Sequence, residues 1–563
     1  MHALLKSLYE HQHDPEFTNL LCIFFGSHQA LLVAIVLQLN NGKFVDTILK
    51  IFVDKLKNQI NDTWRGLRAI CDTGMAKSKY VVLNKLNFYY DKTTNLTRPL
   101  KLGNIVLPPL FPPKRQVDTL WRQIVDESPF SSVAGIKDAT SWNVLSCVRW
   151  LYFTKFWYQF IKNPHKIELI IRGDGLPLGE GEACFLLLTL GNFGPLCKCL
   201  FFNFVISLAL ISEKNREDVR TAFAENLTIL SRWIQDGFIE LAPGLRIPVE
   251  VHWGGDESWL RMLLGLKCGK TNWCCIFCYY LRKTAYIAAN RIERCLLQFE
   301  ELLGFGDHVV APLISGDMDN VHLCSMHGVV PFGKDLLTHI FTYLCTLDVL
   351  RKEEITTNIQ HWLNLNHVPV DISKLPKYGK WDIKATHTWD LFSNPFQLLQ
   401  IIGLETTPVL QCMQNMVKHF KTAYKFQFTT IDDYTLAYNF KANVSADIEQ
   451  WRMVVAAGRN PRNYYHYFAE EIWLKIEMHG SNWKYASDVT ESHVHTIKDD
   501  FVKYTNRGGF GRSASHQIMK RRKVNSVVYI KTHSDHQVPI SPWEKKKLRA
   551  MLVAGQYDLS FAP

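Results

Sequence analysis

Hydrophobic and polar positions along the chain change period twice. From Val45 to Tyr90, and again from Gln116 to Lys162, apolar residues recur with the spacing of amphipathic helices. Between these stretches Asn104–Lys114 (NIVLPPLFPPK) is rich in proline, which holds the preceding backbone extended and marks a boundary. After Asn163 the pattern becomes that of strands: KIELIIR at Lys166–Arg172, then the apolar runs Ala183–Leu190 and Leu200–Ile211. Glu213–Asp236 reads as a long amphipathic helix. Ile247–Trp253 (IPVEVHW) reads as a strand running into Gly254-Gly255-Asp256, and a helix over Glu257–Leu266 follows at once. From Thr271 to about Asn460 helical composition returns, broken by loops such as Asn366–Lys380 and without a strong strand run. The last clear helix bearing an acid, Val489–Tyr504, follows a Gly-Ser-Asn turn at residues 480–482.

Three strands, a helix, a strand and a helix, with an acid ending the first strand and another just after the fourth, is the order of an RNase H-like core. The sequence therefore predicts an α/β fold. Its parts are a helical N-terminal region (1–115), a helical pre-core segment (116–163), the RNase H-like core (164–270), a large, mostly α-helical insertion (271–480), a helix for a third acid (481–510) and a basic C-terminal tail (511–563).

Composition narrows the class. A chain of 563 residues, 47% hydrophobic and 21% charged, can bury a large core. The most membrane-like stretch, Asn19–Asn40, is interrupted by Ser27, His28 and Gln29, which favours a buried helical hairpin over a span. The opening MHALLKSLYEHQHD lacks the pattern of a secretory leader, so an intracellular protein is expected. Fourteen scattered cysteines suit reduced thiols, with a few available to a metal. The aromatic run RWLYFTKFWYQF (Arg149–Phe160) has the helical spacing of core. The net charge of +11 is concentrated: Lys498–Arg549 holds thirteen Lys and Arg against four acids, which points to a polyanion partner.

Asp174 stands between two glycines where a strand is expected to stop, a place where a hard cation can reach a carboxylate; Asp-Gly is also a common turn dipeptide. Asp256 repeats the arrangement ahead of a helix, where Asp also serves as an N-cap. Two-metal phosphodiester chemistry needs a third carboxylate, which periodicity does not select. Cys275 and Cys278 form a C-x-x-C pair with the spacing of a tetrahedral zinc site, completed by a distant histidine among His322, His327 and His466, or else are structural thiols.

These residues resemble a known family. GGDESWLRMLLGLKCGKTNWCCIFC (Gly254–Cys278) is similar to the second-aspartate region of the catalytic subunit of the V(D)J recombinase and of Transib-like and other invertebrate DDE transposases. The likeness lies in Asp256-Glu257, Gly265-Leu266 and the C-x-x-C that follows. IRGDG (Ile171–Gly175) resembles the segment of the first catalytic aspartate, and DMDNVHLC (Asp317–Cys324) a D-x-L-H segment of the helical insertion. YASDVTESH (Tyr485–His493) resembles the segment of the catalytic glutamate, which selects Glu491. The family's H-x-x-x-x-H pair falls on His466 and Glu471, so a carboxylate stands where the second histidine is expected. The resemblance spans about Lys166–Arg507 and does not reach residues 1–115.

The resemblance implies a DNA transposase or recombinase that cleaves phosphodiester bonds and transfers strands, using two Mg²⁺ or Mn²⁺ ions held by Asp174, Asp256 and Glu491. It also implies a structural Zn²⁺ on Cys275, Cys278, His466 and Glu471, double-stranded DNA (transposon ends and target) as partner, a homodimer, and no membrane. Lys520, Arg521, Arg522 and Lys523 read as a DNA-contacting patch or a nuclear localisation signal, and the nucleus is the expected site of action. The alternative is a domesticated, catalytically inactive relative that binds DNA or serves chromatin as an interaction protein.

Overall fold

A computed structural model describes residues 88–91, 96–99, 101–102, 105–106, 113–126, 130–153, 166–178, 181–267, 275–279, 303–304, 307–324, 352–365, 443–453, 466–479, 483–504 and 513–532, with positions 67, 71, 294, 412, 415 and 419. The chain divides into two units, Met1–Pro129 with Lys520–Pro563, and Phe130–Met519. Asn19–Asn40, His327 and the turn at 480–482 lie outside the described residues. No described helix is long and apolar enough to cross a membrane.

In the first unit β1 (Phe88–Asp91) and β2 (Leu96–Pro99) form an antiparallel hairpin, and β3 (Lys101–Leu102) pairs with β4 (Ile105–Val106). The helical reading of Val45–Tyr90 therefore fails at its end, where Phe88, Tyr89 and Tyr90 follow the strand preference of aromatic residues. Helix α1 (Lys114–Asp126) starts directly after Pro112-Pro113, where proline's fixed φ suits a helix entry.

The second unit is a mixed α/β assembly. The predicted helix over 116–162 is broken here by β5 (Ser131–Ser132) and β6 (Ala139–Ser141), and helix resumes only at α2 (Val144–Phe153). Left-handed Gly135 (φ 83°) lies in the turn between β5 and β6, and β6 adds itself to the sheet edge through β9. Strands β7 (Ile167–Leu178), β8 (Gly181–Leu190) and β9 (Phe204–Ala209) follow as antiparallel neighbours, their apolar runs buried. Helix α3 (Arg216–Asp236), capped by Asn215 and closed by left-handed Gly237, carries the chain to β10 (Phe238–Ala242) and β11 (Leu245–Gly255). Helix α4 (Glu257–Leu264) follows, and after it β12 (Val321–Leu323).

The eight-stranded sheet has the order β10-β11-β7-β8-β9-β6-β5, with β12 on the free C-terminal half of β11. β11 runs parallel to both β7 and β12, as a helical crossover permits. The predicted succession of three strands, helix, strand and helix is present, with β10 added before β11. β12 is a strand within the stretch 271–460, whose pattern shows no strong strand run; three residues, VHL, are too few to show a period. Buried Asn226 on α3 accepts from the Val144 N–H and donates to Ser141 and Ser207, tying the helix to the sheet. Trp142 and Trp150 pack at a tilt and each meets Phe204 edge to face in the core; of the aromatic run, Trp150 is thus core, Phe153 is exposed, and positions 154–160 lie outside the described residues.

Three helical segments complete the description: α5 (Lys352–Leu365), residues 443–453, and a wide π-turn (Tyr467–Glu471) leading into α6 (Ile472–His479). Helix α7 (Asp488–Tyr504) matches its prediction within one residue at its start, and α8 (Ala514–Thr532) occupies the segment read as a basic tail.

Candidate metal centres and the acidic strand ends

Asp174 does not end its strand. β7 continues to Leu178 because β8 keeps pairing with it, Asp174 opposite Phe185; the pairing that stops is the one with β11, at Arg172. The β7–β11 register sets Val249 opposite Ile167 and Gly254 opposite Arg172, a constant offset. Carried two residues further, that offset sets Asp256 level with Asp174. The Trp259 indole covers the face of the sheet where Gly173 and Gly255 lack side chains, and a Cβ on either glycine would strike it. The glycines before the two aspartates are thus required by the packing of α4 on the sheet.

Asp256 is the N-cap of α4, its Oδ1 accepting from the Trp259 N–H at 2.7 Å. Asp174 Oδ1 accepts from the Gly175 N–H at 2.8 Å. Sequence reading missed a third acid in this neighbourhood. The Glu213 carboxyl lies against Gly175, where an added Cβ would come within 2.5 Å of its Oε2. Burial, followed by the negative charge of Asp256, raises the Glu213 pKa above the usual carboxylate range, while a hydrogen bond from the Gly175 backbone works the other way. Burial together with Glu213, Glu182 and Asp174 likewise pushes the Cys184 thiol upward.

Glu491 sits half-buried in the first turn of α7, and its own N–H bonds to the Ser487 carbonyl. The chain entering α7 is clamped to the sheet. Buried Arg172 donates to Asn203 at 2.9 Å and to the Lys484 carbonyl, Lys198 donates to the Ala486 carbonyl at 2.9 Å, and the Ser487 N–H points at Cys324 Sγ. Tyr485 donates to Glu168 at 2.8 Å. Buried polar contacts of the residues just before α7 thus fix the approach of Glu491 to β7.

Two other groups converge more closely. Cys275, Cys278, His466 and Glu471 are all buried and offer ligand atoms within 4.8 Å of one another. Cys278 Sγ is 3.1 Å from His466 Nε2, Cys275 Sγ is 3.7 Å from Glu471 Oε1, and the Phe277 N–H points at Cys275 Sγ. Residues five apart on an α-helix stand about 140° apart; the wider π-turn reduces that offset, so His466 and Glu471 meet the same pair of sulfurs. Burial opposes a thiolate at Cys275, but hydrogen bonds with Cys278 and His466 hold its pKa well below the ordinary range. Arg294 fixes the Cys-x-x-Cys turn, donating from Nε to the Cys278 carbonyl and pairing with buried Asp307 at 2.9 Å, while Tyr467 stacks on Phe277 and donates to the Leu323 carbonyl. The sequence-predicted zinc ligands are thus brought together, with His466 rather than His322 as the histidine. This donor set, thiolates with an imidazole and a carboxylate, suits zinc.

The second group is His252, His322 and His479, also within 4.8 Å. His252 on β11 and His322 on β12 are brought together across the parallel pair, and His479 ends α6. Asp174, Asp256 and Glu491 do not converge to this degree among the described residues.

Of the expected DNA-contacting cations on α8, Arg521 and Lys523 are buried, and Lys520 and Arg522 half-buried. Set against known proteins, the chain matches no family model and no curated protein.

Proposed function

We propose that the Phe130–Met519 unit is an RNase H-like core of the DDE transposase type, acting on double-stranded DNA. The observation that carries this reading is the β7–β11 register, which, extended two residues past its last pair, brings Asp174 and Asp256 level on two adjacent parallel strands of a sheet ordered β9-β8-β7-β11-β12. Glu491 enters from a helix clamped to the same sheet. Hard carboxylate oxygens at a half-open strand end suit Mg²⁺ or Mn²⁺, which keep much of their water and need few protein ligands. Asp174, Asp256 and Glu491 would hold such ions, which would supply Lewis acidity to a phosphoryl oxygen and lower the pKa of water.

The residues themselves have separable tasks. Asp174 and Asp256 each commit one oxygen to a backbone N–H, which fixes the orientation of the carboxylate. Trp259 holds the two strand ends at one spacing. Glu213, with its raised pKa, is placed to carry a proton beside the two aspartates. Zn²⁺ on Cys275, Cys278, His466 and Glu471 would brace the start of the insertion against its end. Nuclear location and the pairing of two copies on two DNA ends belong to the same proposal.

The looser gathering of the acids, compared with the buried donor groups, favours one second reading: a relative that binds DNA without cutting it. Nicking of supercoiled plasmid in Mn²⁺ separates the two, comparing the native chain with Asp256→Asn. Asparagine is as good an N-cap as aspartate, so the fold keeps its helix start while the charge is lost. Nicking by the native chain that disappears in Asp256→Asn supports the nuclease. DNA binding without nicking in either protein supports the second reading, and nicking that survives in Asp256→Asn overturns the site.

A further inference from the structure

We infer that His252, His322 and His479 form a second transition-metal site, of the zinc class, independent of the nuclease reading and separate from the cysteine site. His252 and His322 are 1% and 0% exposed, an unusual burial for two imidazoles in contact. Their closest nitrogens, His252 Nδ1 and His322 Nε2, are 3.0 Å apart. Two nitrogens bound to one tetrahedral ion at the usual Zn–N length stand about 3.3 Å apart, so the spacing needs almost no adjustment to admit the ion.

The partners of the rings assign their protons. His252 Nε2 faces two acceptors, Glu168 Oε1 at 3.5 Å and Glu250 Oε1 at 3.7 Å. It therefore carries hydrogen, which leaves Nδ1 as a lone pair. His479 Nε2 lies 2.9 Å from the Asp319 carbonyl oxygen, which also only accepts, so its Nδ1 is the lone pair. His322 stacks flat on Tyr485, with centroids 3.7 Å apart and 3° between planes, and its Nδ1 is buried without a hydrogen-bond partner. His252 and His479 thus turn a lone pair inward and an N–H outward toward carboxylate or carbonyl oxygen, the pattern of metal-bound histidines and their supports, while His322 offers Nε2 to the same centre. Glu168 and Glu250 supply negative charge close by. Two lysines lie near and are already engaged: Lys484 pairs with Glu168 at 2.5 Å, and Lys475 donates to the Met318 and Asp319 carbonyls at 2.6 and 2.7 Å.

An ion there would pin the end of α6 to β11 and β12. The Cys275 site holds the π-turn ahead of the same helix, so residues 466–479 would be fastened at both ends.

The test is cobalt titration of the full chain after chelation. With excess Mg²⁺ present to fill the carboxylate site, two tight equivalents are expected in the native protein, one with thiolate-to-cobalt charge transfer and one with only the ligand-field bands of nitrogen donors. His479 is half-buried at the edge of the cluster, so His479→Gln can be made without emptying the core. It should lose the second equivalent, weakening it by more than tenfold, and keep the thiolate band. Cys278→Ser should do the reverse. A native chain that takes one equivalent, or a second equivalent that His479→Gln leaves in place, overturns the site.

Discussion

The carboxylates of Asp174 within β7 and Asp256 just past β11, and the buried group around Cys275, are built on opposite plans. Asp174 and Asp256 are half-buried, spaced by backbone register, and each gives one oxygen to a nearby backbone N–H. The Cys275 group is wholly buried, its ligand atoms already close and its first thiol held well below the usual pKa. Closed coordination with soft donors is what a structural ion needs; open coordination with hard donors is what a catalytic ion needs, because substrate and water must share it. The difference teaches that convergence alone is a poor guide to chemistry. A closely gathered, wholly buried donor group is the one less suited to act on a substrate.

The largest expected effect is on the closed side. Cys278→Ser removes a buried ligand, and loss of a structural metal belongs to the changes that cost more than about 4 kcal/mol. Its unfolding midpoint should fall sharply, and chelator should shift the native chain toward the variant. A variant as stable as the native chain, with chelator inert on both, would remove the contrast between the two regions.

Next in size is the spacing of the open side. Gly173→Ala places a methyl group in the Trp259 indole, which is 1% exposed and has no room to retreat. Overpacking of this kind costs about 1–3 kcal/mol. Denaturant unfolding should show that loss together with reduced nicking, since the indole sets where both aspartates sit; an unchanged midpoint would mean that Trp259 does not brace them.

Asp256 allows cap and charge to be separated. Asp256→Ala should cost about 1 kcal/mol and Asp256→Asn only a few tenths, while both abolish nicking. If stability and nicking fall in parallel, Asp256 is a cap and nothing more.

Legibility in the sequence follows the same division. β7, β8 and β9 announce themselves because buried strands read as continuous apolar runs, and α3 and α7 because their apolar faces have a helical period. β12 is invisible: VHL is a strand only because β11 offers an edge, and the pairing is made by residues nearly 70 positions apart. Strand–Gly–Asp was legible for both aspartates, but the end of β7 was misplaced because β8, not β11, decides where it stops. The C-x-x-C was legible alone, whereas its partners rested on resemblance to a family. Glu213 carries no local signal at all. It looks like any acid before a helix, and it reaches the aspartates only because Gly175 has no side chain to exclude it. His252, a polar residue inside IPVEVHW, likewise gains meaning only from β12 and α6.

Glu213 gives the smallest effect and the sharpest test of the open plan. Its carboxyl is held above the usual value of 4.5, by burial and then by Asp256. A raised carboxylate pKa means that the folded chain binds the proton more tightly than the unfolded chain. Stability from this group is therefore greatest at low pH and is lost as pH rises from 4.5 through the folded-state value. At neutral pH the charge works against folding, so Glu213→Gln should raise the denaturation midpoint there. The side chain keeps contact with water, which limits the gain to less than about 1 kcal/mol. The gain should vanish as pH falls below 4.5, where folded and unfolded chains both hold the proton. Mg²⁺ should offset the same repulsion in the native chain and so narrow its gap to the variant at neutral pH. A gain that ignores both pH and Mg²⁺ would mean that Glu213 merely packs against Gly175, and that the acids share no field a cation can answer.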